Sequence, residues 1–121
     1  MLLKHVKDCE EVIAGDDSIL RELLHPEKTG LQIRYSLAHA KVPVGQATKS
    51  HRLKTSEVYY IITGNGLMHI DKESFEVGPD CAVYIPPSAR QYIENTGDSD
   101  LIFLCIVDPA WRKEDEEVFD S

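Results

Sequence analysis

The sequence has no long hydrophobic run. Its longest apolar stretches, such as Leu101 to Val107, span about seven residues, against the roughly twenty that a membrane helix requires, so no helical span is expected. Basic charge is also scarce: 13 Lys and Arg stand against 21 Asp and Glu, a net charge of −8. Without a basic face to displace counterions, neither nucleic acid nor an anionic membrane is expected as a partner. Cysteine is limited to Cys9, Cys81 and Cys105, an odd number with no C-x-x-C spacing. A disulfide framework and a cysteine zinc site are therefore both unsupported, and three reduced thiols are expected, with Cys105 in the core. The N-terminal residues carry no signal-peptide pattern, because Lys4, Lys7, Asp8, Glu10 and Glu11 interrupt their apolar residues; a cytoplasmic location is expected. No internal repeat is visible, which removes solenoids and propellers.

What is present suits one ordinary domain: 121 residues, 42% hydrophobic and 28% charged. From residue 29 onward turn signals recur at short, even intervals, the punctuation of an all-β sandwich or barrel rather than of alternating strands and helices. They are Thr29-Gly30, Pro43-Val44-Gly45, Gly64-Asn65-Gly66, Asp71-Lys72, Gly78-Pro79-Asp80, Pro86-Pro87-Ser88 and Asn95-Thr96-Gly97-Asp98. Between them lie strand candidates rich in β-branched and aromatic residues at 31–42, 57–63, 67–70, 75–77, 81–85, 91–94 and 101–107. Residues 1–30 are expected to form a segment packing on this unit. There Ile19, Leu20, Leu23 and Leu24 fit a helical stripe, while Asp16-Asp17-Ser18 suits either a helix cap or a turn into an edge strand. Residues 31–110 form the β unit, and 111–121 an acidic tail, solvated or in a short helix, with Trp111 folding back.

One spacing points to chemistry. Gly45 is followed by His51, Glu57 and Gly64 with gaps of five, five and six residues, and Leu53 lies two beyond His51. Downstream, Pro86 and Asn95 bracket Gln91 at fixed distances. The first set resembles the G-x5-H-x-H-x3-E-x6-G motif of the cupin superfamily, with Leu53 in place of the second His. The second resembles the G-x5-P-x-G-x2-H-x3-N motif, with Asp80 and Ser88 replacing glycines and Gln91 replacing the histidine. The resemblance covers roughly residues 35 to 110 and is nearest to small single-domain "cupin 2" proteins. It implies an eight-stranded jelly-roll barrel, the double-stranded β-helix of cupins. It also implies a divalent metal (Zn, Ni, Fe, Mn or Cu) on His51, Glu57 and Gln91, held weakly or with partial occupancy. Catalytic residues are not indicated, and a homodimer is expected.

The residues support part of this independently. Side chains two apart on a strand share a face, so His51 and Leu53 point together into a barrel mouth, where Glu57 and Gln91 on further strands can face them. Imidazole, carboxylate and amide oxygen on rigid strands make a cradle for a divalent cation. Leu53 cannot ligate, and an amide oxygen is a weak donor. Two readings therefore stay open: a degenerate metal site acting on a small organic or sugar-like substrate, or a metal-free cavity that binds a small molecule. Tyr59 shares the Glu57 face and is expected in the pocket wall; His39 is a pocket-lining candidate, but its strand also offers the outer face of the sheet, the placement favoured for it. His5 and His25 are expected at the surface. Gly64-Asn65-Gly66 lacks the strand-to-helix context of a phosphate loop and reads as a hairpin turn.

Overall fold

The computed structural model describes residues 2–119, which contain eleven strands and a single short α-helix, Pro26–Thr29. The strands are β1 (Glu11–Ile13), β2 (Ile19–Leu24), β3 (Ser36–Val42), β4 (His51–Leu53), β5 (Ser56–Thr63), β6 (Gly66–Ile70), β7 (Glu73–Val77), β8 (Ala82–Ile85), β9 (Gln91–Asn95), β10 (Leu101–Asp108) and β11 (Glu116–Val118). They form two antiparallel sheets, ordered β1-β2-β3-β10-β5-β8 and β11-β4-β9-β6-β7. β3 to β10 are the eight strands expected of a jelly roll. β1, β2 and β11 are added at its sheet ends by the terminal segments. No helix among the described residues is long and apolar enough to cross a membrane.

Alternation explains the interior. On β10, Leu101, Phe103, Cys105 and Val107 are buried while their neighbours are not, and on β5 the inward set is Glu57, Tyr59 and Ile61. Ile61, Met68, Ile93, Leu101 and Phe103 are almost wholly buried and form the centre of the apolar core. β5 and β10 pair with Ile61 opposite Phe103 and Glu57 opposite Val107. The same register therefore builds an apolar plug at one end of the barrel and lifts Glu57 out of it at the other. Full burial of side chains such as Phe103 contributes about 1.5–3 kcal/mol each.

Several sequence expectations are corrected. The segment at 19–24, whose pattern suits either a helix or an edge strand, is strand β2: pairing with β3 and β1 satisfies its backbone on both sides, which outweighs local helical periodicity. The strand expected from residue 31 begins at Ser36. Gly64-Asn65 does not close a hairpin, because β5 and β6 belong to different sheets and the turn carries the chain across the barrel. The charged tail is neither free nor α-helical. After a 3-10 turn at Lys113–Asp115 it adds β11 to β4, with an Arg52–Glu117 ion pair of 2.6 Å and Arg90 stacked 3.8 Å from the Phe119 ring centroid. Residues 120 and 121 of the expected tail lie outside the described residues.

Gly64 makes the sheet-to-sheet turn possible. Its φ is +90°, and a Cβ there would lie 2.6 Å from the Asp100 carbonyl oxygen and 2.8 Å from Leu101 Cα, both backbone atoms. Gly45 shares the left-handed conformation, at φ +77°, but a Cβ there meets nothing within 4 Å. Gly45→Ala should thus show only the torsional penalty, about 1 kcal/mol, whereas Gly64→Ala should cost about 2–4 kcal/mol. Equilibrium urea unfolding of the two variants tests this. Equal losses would mean that the backbone at Asp100 and Leu101 moves aside freely.

Candidate functional site

Above the apolar plug the two sheets enclose a cavity of about 260 Å³. Its walls come from the barrel strands through His51, Leu53, Glu57, Tyr59 and Phe103. The terminal segments add Asp16, Leu20, Trp111 and Glu116. The strand parity read from the sequence places His51 and Leu53 side by side, both buried. Gln91 sits opposite His51 in the β4–β9 pairing.

His51 Nδ1 lies 2.8 Å from the Lys49 carbonyl oxygen. A carbonyl only accepts, so this nitrogen carries the proton and, in the neutral ring, Nε2 keeps its lone pair. Nε2 makes no hydrogen bond and stands 3.7 Å from Asp16 Oδ2. Asp16 is fixed by Ser18, whose backbone N–H and hydroxyl both donate to Oδ1, at 3.0 and 2.7 Å. That leaves Oδ2 turned to the imidazole. Gln91 Nε2 donates to Glu57 Oε1 at 2.9 Å, and Gln91 Oε1 is buried without a partner. Glu116 approaches from β11, where a Cβ at Gly15 would come 2.8 Å from its Oε1.

Burial pushes the Glu57 carboxyl up to about 7, against the lowering effects of the Gln91 hydrogen bond and of His51, with the charges of Asp16 and Glu116 adding to the rise. Burial likewise raises Glu116; His51 opposes that shift and Asp16 reinforces it. Tyr59, packed against Phe103 with ring centroids 4.5 Å apart, has its hydroxyl held well above the ordinary range by burial and by the Glu57 charge. It stays protonated.

His39 is not in this cavity. Ser36, Ala38, Ala40 and Val42 take the inward positions of β3, so His39, one residue out of phase, lies on the outer face beside Arg21 and Lys41. Burial and those two charges lower its pKa. His25 is also corrected: it is buried, with Nε2 2.8 Å from the Trp111 carbonyl oxygen and Nδ1 accepting from Glu27 N–H at 3.2 Å. It fastens the tail where Trp111 enters the cavity wall. Asp16 and Glu116 were missed as site residues. The Asp16-Asp17-Ser18 turn signal marked a structural feature, but nothing local shows that a terminal carboxylate reaches the barrel interior.

These features define a jelly-roll barrel with a polar cavity in its open end. Residues 38–107 match the cupin domain family, and the chain belongs to that family. It is 46% identical over 109 residues to an uncharacterised protein of Methanocaldococcus jannaschii, covering 89% of this chain and 86% of that protein. It is 29% identical to a glucose-6-phosphate isomerase of Thermococcus kodakarensis across 80% of this chain, a match spanning 49% of the isomerase. An oxalate-binding protein of Thermotoga maritima is 30% identical over 71 residues, 58% of this chain and 59% of that one. Among solved structures, a protein described as a predicted oxalate decarboxylase of T. maritima superimposes with a TM-score of 0.78 at 21% identity, covering 89% of this chain and 99% of that chain. At that identity the likeness concerns the fold.

The residues at the family's metal positions do not fit a metal centre. Leu53 presents hydrocarbon where the motif has an imidazole, and Gln91 gives its amide N–H to Glu57 and offers only a neutral amide oxygen, a weak metal ligand, where the motif has another imidazole. Among the described residues no group of three or more His, Cys, Asp and Glu side chains is gathered to hold a metal ion.

Glu57 imposes a pH dependence. Its folded pKa lies above the ordinary 4.5, so the protonated form is favoured by folding. The resulting stabilisation is complete below about pH 4.5 and is lost as pH rises through about 7. Glu57→Gln keeps a carbonyl to accept from Gln91 and removes the titration. Relative to the wild type, this variant should gain on the order of 3 kcal/mol between pH 4.5 and 8. Denaturant unfolding at a series of pH values reads this, and parallel profiles for the two proteins would remove Glu57 as the cause.

Proposed function

We propose that this chain is a small-molecule-binding cupin whose barrel cavity recognises its ligand through its own side chains rather than through a bound metal. The observation that carries this reading is the Gln91–Glu57 hydrogen bond beside Leu53: the positions that would converge on a cation instead bond to one another or present hydrocarbon. His51 and Glu57 remain as polar groups buried at a cavity wall. Burying them is unfavourable, which a ligand in contact with them would offset.

The ligand chemistry differs from what the relatives' names imply for them. Oxalate is a dianion, and here the Asp16 and Glu116 carboxylates share the wall with Lys28, whose ammonium is already 2.7 Å from Glu22. Without a metal to reverse the local charge, an anion is repelled. Calorimetric titration of chelator-stripped protein with zinc, nickel or manganese chloride and with oxalate should show no stoichiometric binding. A 1:1 metal complex of micromolar affinity would overturn the metal-free reading. Leu53→His should lower the melting temperature and create no zinc site, because the new ring stands in an apolar wall where Gln91 offers only a weak amide oxygen and Glu57 accepts from Gln91.

The same reading includes a homodimer. The outer face of the six-stranded sheet exposes Tyr60, Ile62, Tyr84 and Ile106, and β8 is an open sheet edge. Light scattering at micromolar concentration should give twice the 13.7 kDa chain mass. A monomer mass throughout a hundredfold dilution series would reject the dimer.

A further inference from the structure

Charge in the cavity is one-sided. Asp16 and Glu116 bring carboxylates to its lining, Glu57 keeps its proton to about neutral pH, and Lys28 is paired with Glu22 at 2.7 Å. Two acceptors there lack hydrogen-bond partners: Asp16 Oδ2, whose sister oxygen alone serves Ser18, and His51 Nε2, on a ring only 2% exposed. They stand 3.7 Å apart, close enough for one nitrogen to donate to both at about 2.9 Å. Glu116, brought in by β11 and served by a hydrogen bond from Trp111, adds a further carboxylate to the lining. The remaining surface is apolar and aromatic, with Tyr59, Phe103 and Trp111 among its lining.

We propose that the cavity takes a small organic cation, a primary ammonium group on a short apolar or aromatic body. The ammonium donates to Asp16 and His51, with the Glu116 carboxylate on the same lining, and the body lies against Tyr59 and Phe103. This rests on the metal-free reading above and gives that site its ligand class. Two N–H donors of the ammonium serve Asp16 Oδ2 and His51 Nε2, which no donor of the lining serves. A neutral polyol satisfies the hydrogen bonds but leaves the buried negative charge uncompensated, and an anion adds to it. An aromatic wall suits a cation at the ring faces as well as a hydrocarbon body. The volume, about 260 Å³, lies below the range of drug-sized pockets, so the ligand is small.

Benzylammonium and benzyl alcohol test the charge at nearly constant shape. On chelator-stripped protein, calorimetry should show benzylammonium binding at least about tenfold tighter than the alcohol. Glu116→Gln and Asp16→Asn, each checked for a native melting transition, should reduce that preference to about threefold or less. Glu116→Gln leaves the Ser18 bonds to Asp16 intact, so it serves should Asp16→Asn fail to fold. Alcohol binding as tight as the ammonium would overturn the cation while leaving a metal-free cavity in place. Stoichiometric binding of zinc or nickel chloride with no ammonium binding would overturn both. Absence of any heat with methylammonium and benzylammonium up to about 10 mM also overturns the cation.

Discussion

Glu57 is an ionisable side chain on an inward strand position, between strands whose backbone pairing gives it no other direction to point. Its neighbours in register are Val107 on β10 and Ile85 on β8. Turning it outward would require a one-residue slip that also expelled Tyr59 and Ile61 from the core. The carboxyl is therefore held inside by the packing of the rest of its strand. Much of the polar architecture follows from that constraint. Gln91 donates to Glu57, the carboxyl retains its proton to about neutral pH, and the cavity above it stays polar where the plug below is apolar.

The division of the barrel interior has a mechanical side. The antiparallel strands carry their largest apolar residues, Phe103, Ile61, Ile93 and Met68, toward one end. Their packing fixes strand positions for the side chains further along: Ile93 anchors the β9 strand that starts with Gln91, and Ile61 anchors the β5 strand that carries Glu57. A site built on strands rooted in a close-packed plug is held more rigidly than one on loops.

The terminal segments complete the site. β2 and β11 extend the two sheets and bring Asp16, Glu116 and Trp111 to the cavity, and His25 bonds the Trp111 carbonyl. The terminal additions therefore determine the net charge of the wall, and the family motif contributes only part of it. Leu53 and Gln91 stand where the motif has imidazoles, and carboxylates reach the cavity from outside the motif, so a shared fold does not by itself fix the chemistry of its cavity.

Seven of the eight central strands were legible because turn residues and period-2 alternation are local properties, written within about ten residues of each other; β4, only three residues long, was not among them. The facing of His51, Leu53, Glu57, Tyr59 and Gln91 was legible for the same reason: parity along a strand is set by the chain itself. His39 shows the limit. Its strand was correctly placed, but which of two faces met the core depended on Ala40 and Val42 packing against the opposite sheet. The segment at 19–24 shows another, since its apolar spacing suits a helix until β3 offers a hydrogen-bonding edge. Asp16, Glu116 and the buried state of His25 had no local signature at all. They depend on contacts between residues far apart in the chain, such as Trp111 with His25 or β11 with β4, and only the closed barrel brings those partners within reach. The sequence by itself thus determined the barrel and the strand-borne half of its cavity, while tertiary structure decided the charge and closure of the cavity, because those arise from long-range pairing that no local pattern encodes.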